Sequence, residues 1–231
     1  PVYDRAALRL TAEERARLEA EGRRPHWRFR LDERTVEWQD GVRGPSHIET
    51  ASLSDPVLVR EDGTVLYTFA SVVDDIDMGV TDVIRGEDHV ANTAVQIELF
   101  EALGAKPPRF AHHNLISAAS GEAMSKRTGA LSLRSFRAAG ADPLAVASVA
   151  VLTGTSEPVH AVESLDELMA LVALTKLSRA QTKFDPEEIG HLSTRILHAK
   201  PFAAVRAALE AQGVSGRSEE HTSELQSLTN L

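Results

Sequence analysis

The chain has 231 residues, 42% of them hydrophobic, enough to build a packed core in one or two domains. A formal charge of −9 and a pI near 5.5 exclude a global attraction to nucleic acid, so any RNA contact must come from local basic faces. Without cysteine there is neither a disulfide framework nor a thiolate metal site; no signal peptide or membrane-length apolar run is legible, so cytoplasm is the expected compartment and no membrane partner is expected.

Residues 1–22 contain Thr11-Ala-Glu-Glu14, a capping-box pattern that opens a short charged helix stopped by Gly22. Arg23, Arg24, Arg28, Arg30 and Arg34 then surround Trp27 and Phe29. That mixture suits phosphates and unstacked bases, and equally a strand with a solvated basic face. From Thr35 to Gly63 the signals are turns between short strands: Asp40-Gly41, Gly44-Pro45, Asp55-Pro56 and Glu61-Asp-Gly63. The last lies between Val57-Leu-Val59 and Val65-Leu-Tyr67 and predicts a hairpin.

The apolar run from Val80 to Ile84 reads as a buried strand that stops at Arg85-Gly-Glu-Asp-His89. In open α/β sheets the ligand crevice lies beyond the carboxyl ends of the strands, where such a polar break would fall. Between His89 and Leu103, the residues Val90, Ala94, Ile97 and Leu103 recur near helical spacing, with Gly104 as a left-handed cap. Arg85 therefore stands where a strand hands over to a helix. A guanidinium there suits a carboxylate in a two-point fork; the competing reading pairs it with its neighbour Glu87. The stretch from Phe110 to Ser117 predicts a further strand. Next, Gly121-Glu-Ala-Met-Ser-Lys-Arg-Thr-Gly129 sets Lys126 and Arg127 between two glycine hinges. Such a loop can close over a polyphosphate or simply lie in solvent, and it lacks the Walker spacing.

From Leu131 onward the pattern is mostly helical. Asp142-Pro143 caps an apolar helix from Leu144 to Leu152, and Ser164-Leu-Asp-Glu167 is a capping box for Leu165 to Val172. Asp185-Pro186-Glu-Glu begins a third helix, and Phe202 to Ala211 forms a fourth that ends at Gly213. Periodicity alone makes this a generic helical domain without a catalytic signal. Residues 214–231 are polar and weakly periodic, and they resemble a translated sequencing adapter more than a folded segment.

Taken together, Val72-Val-Asp-Asp75, the run from Met78 through Arg85-Gly-Glu-Asp-His89 to Asn92-Thr93, and Met124-Ser-Lys-Arg127 closely resemble class I glutamyl-tRNA synthetases. The resemblance extends from about Tyr3 to about Gly213. It implies an α/β fold: the second half of a Rossmann-type class I synthetase catalytic domain with part of the acceptor-binding insertion, followed by an α-helical stem-contact domain. The implied boundaries are 1–63 for the acceptor-stem-binding insertion, 64–130 for the Rossmann half with the Met-Ser-Lys-Arg loop, 131–213 for the stem-contact domain and 214–231 for a non-native or disordered tail. The family's His-Ile-Gly-His tetrapeptide is absent; Ser46-His-Ile-Glu-Thr50 lacks its glycine and second histidine. The chain is thus expected to be an internal piece of a longer enzyme, without the first Rossmann half and the anticodon-binding domain, and inactive alone.

The activity implied by the resemblance is ATP-dependent formation of glutamyl-adenylate and transfer of the glutamyl group to the 3′ end of tRNA(Glu), either of that tRNA alone or of tRNA(Gln) as well. Tyr67, Ser71 and Arg85 would bind glutamate, although Ser71 stands where asparagine is frequent in the family. Glu87, Asp88, His89, Met124 and Lys126 would border ATP, and Ser125, Lys126 and Arg127 would act in catalysis. Magnesium is expected with ATP, zinc is not, and the full-length protein is expected to be a monomer. Two other readings are the paralogue that attaches glutamate to a queuosine base, which lacks the helices after Leu131, and a catalytically inactive RNA-binding fragment.

Overall fold

The computed structural model describes residues 2–118 and 132–214, and the chain divides into two compact units, one up to His113 and one from Asn114. The first unit opens with helix α1 (Ala12–Ala20), whose capping box forms as predicted: Glu14 N donates to Thr11 Oγ1 at 3.2 Å and Thr11 N to Glu14 Oε2 at 2.8 Å. Strand β1 (Trp27–Arg28) leads to an antiparallel hairpin of β2 (Thr35–Asp40) and β3 (Gly44–Glu49), turning at the expected Asp40-Gly41. Strand β4 (Val57–Val59) pairs with β1, and the predicted turn after it closes through Arg60 N to Thr64 O at 2.9 Å.

Tyr67 departs from its predicted place on the returning strand. Only Val65 bridges back to Val59, after which Leu66 N bonds Leu58 O and Tyr67 becomes the first residue of helix α2 (Tyr67–Asp77). The apolar run Val65-Leu-Tyr67 is short, and the residues after it bury Val72 along one helical face.

Strand β5 (Asp82–Gly86), helix α3 (Val90–Ala102) and strand β6 (Arg109–His113) form a parallel β-α-β unit, with Asp82 opposite Arg109 and Gly86 opposite His113. The helix matches the predicted span, and Gly104 adopts φ +73° beyond it. The strand is not buried on both sides as the apolar run suggests: Val83 packs into the core while Ile84 is 54% exposed. Every residue of α3 from Thr93 to Phe100 is buried. Leu31 and Val36 near the hairpin share one core with Val72 of α2, Ala94, Ile97, Leu99 and Phe100 of α3, and Phe110 of β6. The segment resembling an insertion and the segment resembling the Rossmann half are therefore fused through common packing.

In the second unit, β7 (Ile116–Ala118) runs parallel to β8 (Thr182–Phe184). The predicted strand from Phe110 to Ser117 is thus interrupted at Asn114 and Leu115. Asn114 Nδ2 instead donates to Ala180 O and Thr182 Oγ1, both at 2.7 Å. Helices α4 (Leu133–Ala138), α5 (Pro143–Leu152), α6 (Leu165–Leu171), α7 (Pro186–Ala199) and α8 (Phe202–Ala211) follow. Packing of α5 against α7 buries Ala145, Val149, Ile189, Leu192 and Ile196. Asp142 caps α5 through Leu144 N at 2.9 Å and is clamped by Lys200 Nζ at 2.6 Å. The predicted box at Ser164 is half formed: Ser164 Oγ accepts from Glu167 N, but the Glu167 carboxylate accepts from Glu163 N. Helix α4 lies in the stretch predicted as mostly helical, whereas strand β8 interrupts it; three residues are too short to show a period.

Candidate functional site

The carboxyl end of β5 delivers Arg85, and the turn after it delivers Glu87, Asp88 and His89 ahead of α3. Tyr67 and Ser71 lie one turn apart on α2. These elements meet around the Arg85 guanidinium. Its Nε donates to His112 Nε2 at 3.2 Å, and its Nη2 donates to Thr93 Oγ1 at 2.7 Å and to His89 O at a long 3.4 Å. The Phe110 ring lies beneath it, 5.4 Å from the guanidinium carbon. Burial pulls the guanidinium below its ordinary value, opposed by the adjacent Tyr67 hydroxyl and the charges of Asp75 and Asp88, and an arginine so placed stays cationic.

The competing pairing of Arg85 with Glu87 does not form. Glu87 binds Arg43 at 2.9 Å, and among the described residues no carboxylate lies within 4.0 Å of Arg85. The edge of the guanidinium carrying Nε is filled by His112 and Thr93, and the Tyr67 hydroxyl lies against the guanidinium as a further polar partner. Tyr67 is 57% exposed, with its ring 6.0 Å from that of His89. Ser71 is engaged within the fold: its Oγ accepts from Gln96 Nε2 at 2.9 Å. Asp88 is exposed, and His89 Nδ1 meets Asn92 Nδ2 at 3.1 Å. Met124, Ser125, Lys126 and Arg127 lie outside the described residues.

Two residues at this site escaped the sequence reading. Asp40 at the hairpin turn and His112 on β6 are both fully buried and meet through Oδ2 and Nδ1 at 2.5 Å. Asp40 Oδ1 also accepts from the backbone of Val42, Arg43 and His112, and Oδ2 from Trp38 Nε1. These bonds hold its carboxyl far below the usual carboxylate range despite burial, which acts oppositely. Burial pushes the His112 imidazole down, against the pull of Asp40, so the ring is neutral near pH 7. The available signal was a polar pair of letters inside a turn and a strand, which propensity does not connect.

The arginine cluster is largely committed within the fold. Arg28 stacks on Tyr3 and donates to Asp55 O, Arg34 pairs with Glu98 and Glu101, and Arg23 lies 4.0 Å from Glu21. Trp27 remains 66% exposed, and among the described residues Arg24 and Arg30 make no ion pair. No three His, Asp or Glu side chains converge as a metal cage among the described residues, and no described helix is long and apolar enough to cross a membrane.

A family model, "tRNA synthetases class I (E and Q), catalytic domain", matches residues 1–191. The chain belongs to this class I synthetase family. It is 65% identical over 216 residues to glutamate–tRNA ligase 2 of Xanthobacter autotrophicus, covering 94% of this chain and 47% of that protein. Glutamate–tRNA ligase 1 of Brucella ovis is 55% identical over 230 residues, covering 95% and 50%. A crystal structure of a glutamate tRNA ligase from Elizabethkingia meningosepticum in complex with its amino acid superposes with a TM-score of 0.75 at 28% identity, covering 92% of this chain and 47% of that one. The chain spans about half the length of the curated relatives it matches. Within this class I synthetase chain, the described α/β unit and the helix-rich unit after it agree with the fold class expected from the motifs.

Proposed function

We propose that this chain is part of a glutamate–tRNA ligase and supplies the amino-acid side of its activation site. The observation that carries the reading is Arg85: a half-buried cation at a strand's carboxyl end, beside Tyr67 and without a carboxylate partner among the described residues. A desolvated cation left unpaired in this way suits an anionic substrate, and the relatives named above are glutamate–tRNA ligases. Because the α-carboxylate must stay free as nucleophile, Arg85 takes the side-chain carboxylate of glutamate.

In the proposed reaction an α-carboxylate oxygen attacks the α-phosphorus of ATP and the bond to the β-phosphate oxygen breaks, releasing pyrophosphate. A ribose hydroxyl at the 3′ end of tRNA(Glu) then attacks the acyl carbon and AMP leaves. ATP arrives with Mg2+ held by its phosphates. Tyr67 lines the amino-acid pocket with Ser71 behind it, Glu87, Asp88, His89 and Met124 border the nucleotide, and Ser125, Lys126 and Arg127 steady charge on the departing pyrophosphate. The enzyme works in the cytoplasm as a monomer, with tRNA(Gln) as a second acceptor. Glutamate-dependent exchange of pyrophosphate into ATP by the full-length protein carrying this chain tests the reading. Exchange is expected with glutamate and not with aspartate or lysine; absence of glutamate-dependent exchange overturns it.

A further inference from the structure

We propose that Asp40 and His112 are positioning residues for Arg85: a carboxylate on the hairpin turn sets the tautomer of a buried imidazole, whose other nitrogen holds the Nε edge of the guanidinium. The inference rests on the reading of Arg85 as the glutamate-binding group.

Both side chains of the pair are completely buried, so neither serves solvent directly. Asp40 Oδ2 can only accept, and its contact with His112 Nδ1 therefore places the imidazole proton on Nδ1. That leaves Nε2 as a lone-pair acceptor facing Arg85 Nε–H at 3.2 Å, with Thr93 Oγ1 at 3.0 Å completing the edge. Were the proton on Nε2, donor would meet donor and the guanidinium would have to turn away. The Phe110 ring fixes the plane: it stacks on His112 at 6.4 Å with an interplanar angle of 13° and supports Arg85 from below. The arginine is thus held along one edge and one face, and its pose is set from Asp40, 45 positions earlier in the chain. A residue that orients a ligand-binding group through its second nitrogen is a recurrent way of aiming a site.

Two measurements test this. In the full-length protein, glutamate-dependent ATP–pyrophosphate exchange is compared for the parent, His112→Leu, His112→Gln, Asp40→Asn and Arg85→Lys, with active sites counted by titration. His112→Leu removes the acceptor and is expected to raise the glutamate KM about tenfold, the effect of one charge-assisted hydrogen bond, with kcat per active site nearly unchanged. His112→Gln, whose amide oxygen reaches toward Arg85 Nε, should recover most of that loss. A purely structural role would lower the number of active sites and leave the glutamate KM alone, which would overturn the proposal. If Arg85→Lys also leaves the glutamate KM unchanged, the assignment of Arg85 falls; if only the His112 variants do, the positioning role falls alone. In the 231-residue chain itself, nitrogen-15 spectra of arginine side chains should show Arg85 Nε–H in slow exchange, accelerated in His112→Leu and Asp40→Asn. Equal exchange in parent and His112→Leu overturns the proposal whatever the activity data show.

Discussion

Replacing Asp40 with asparagine asks how much of the first unit hangs on one carboxylate. Asparagine keeps an oxygen where Oδ1 accepts from the amides of Val42, Arg43 and His112, but its Nδ2 then faces Trp38 Nε1–H and His112 Nδ1. The indole donor loses its acceptor, a cost of about 1–3 kcal/mol for a buried group left unpaired. The His112 contact survives only as a neutral bond after the imidazole moves its proton to Nε2, about 1 kcal/mol weaker than the charge-assisted one. A neutral amide is easier to bury than a carboxylate, which offsets part of this and leaves a net loss of about 2 kcal/mol. For a unit of this size that is a fall in Tm of about 10 °C. Both tryptophans, Trp27 and Trp38, belong to the first unit, so tryptophan fluorescence during heat or urea denaturation reports that unit alone. A variant within about 0.5 kcal/mol of the parent, the range of an ordinary surface change, would refute the reasoning.

The same pair predicts the direction of acid sensitivity. His112 is depressed from 6.5 by burial, with Arg85 and Arg43 adding to the effect and Asp40 opposing it, so its contribution is complete above pH 6.5 and is lost as pH falls through the lower folded value. Asp40, held below 3.8, adds loss only at lower pH, while Asp75, which burial raises, returns a little stability on acidification; a Trp fluorescence midpoint that stays flat or rises from pH 7 to 5 would contradict the neutral His112. Arg85→Lys should weaken glutamate binding in the full-length protein, because an ammonium cannot reproduce a planar donor edge shared among His112, Thr93 and a carboxylate; an unchanged saturation curve for glutamate would move the carboxylate elsewhere. Lys126→Ala should slow adenylate formation by about 3–4 kcal/mol of barrier with little effect on amino-acid binding, as read by pyrophosphate exchange. Gly154→Ala should destabilise the second unit by about 1–2 kcal/mol, since φ is +88° and a Cβ would sit 3.0 Å from the Asn114 side chain that ties Ala180 and Thr182; circular dichroism melting checks it.

What the sequence determined alone is whatever a few neighbouring residues decide. Thr11, Asp142 and Asp185 mark helix starts because their side chains satisfy amides two or three residues ahead, and these helices begin where those letters stand. The strand-to-helix handover at Arg85 is likewise local, an apolar run cut short by charge. Tertiary structure decided everything that depends on partners far along the chain. Tyr67 starts a helix rather than ending a strand because α2 buries Val72 in a core drawn from Leu31 to Phe110. Thr93, Gln96 and Glu98 are polar residues of α3, yet all three are buried, each bonded to a group from another segment. Asp40 and His112 stand 72 positions apart, and no pattern within either stretch marks them as a pair. Their bond exists only because the hairpin turn docks on β6, where Gly41 N meets Phe110 O at 2.8 Å. Burial then turns two ordinary polar residues into a fixed donor and acceptor, because in a site without water a hydrogen bond must be made or its cost carried.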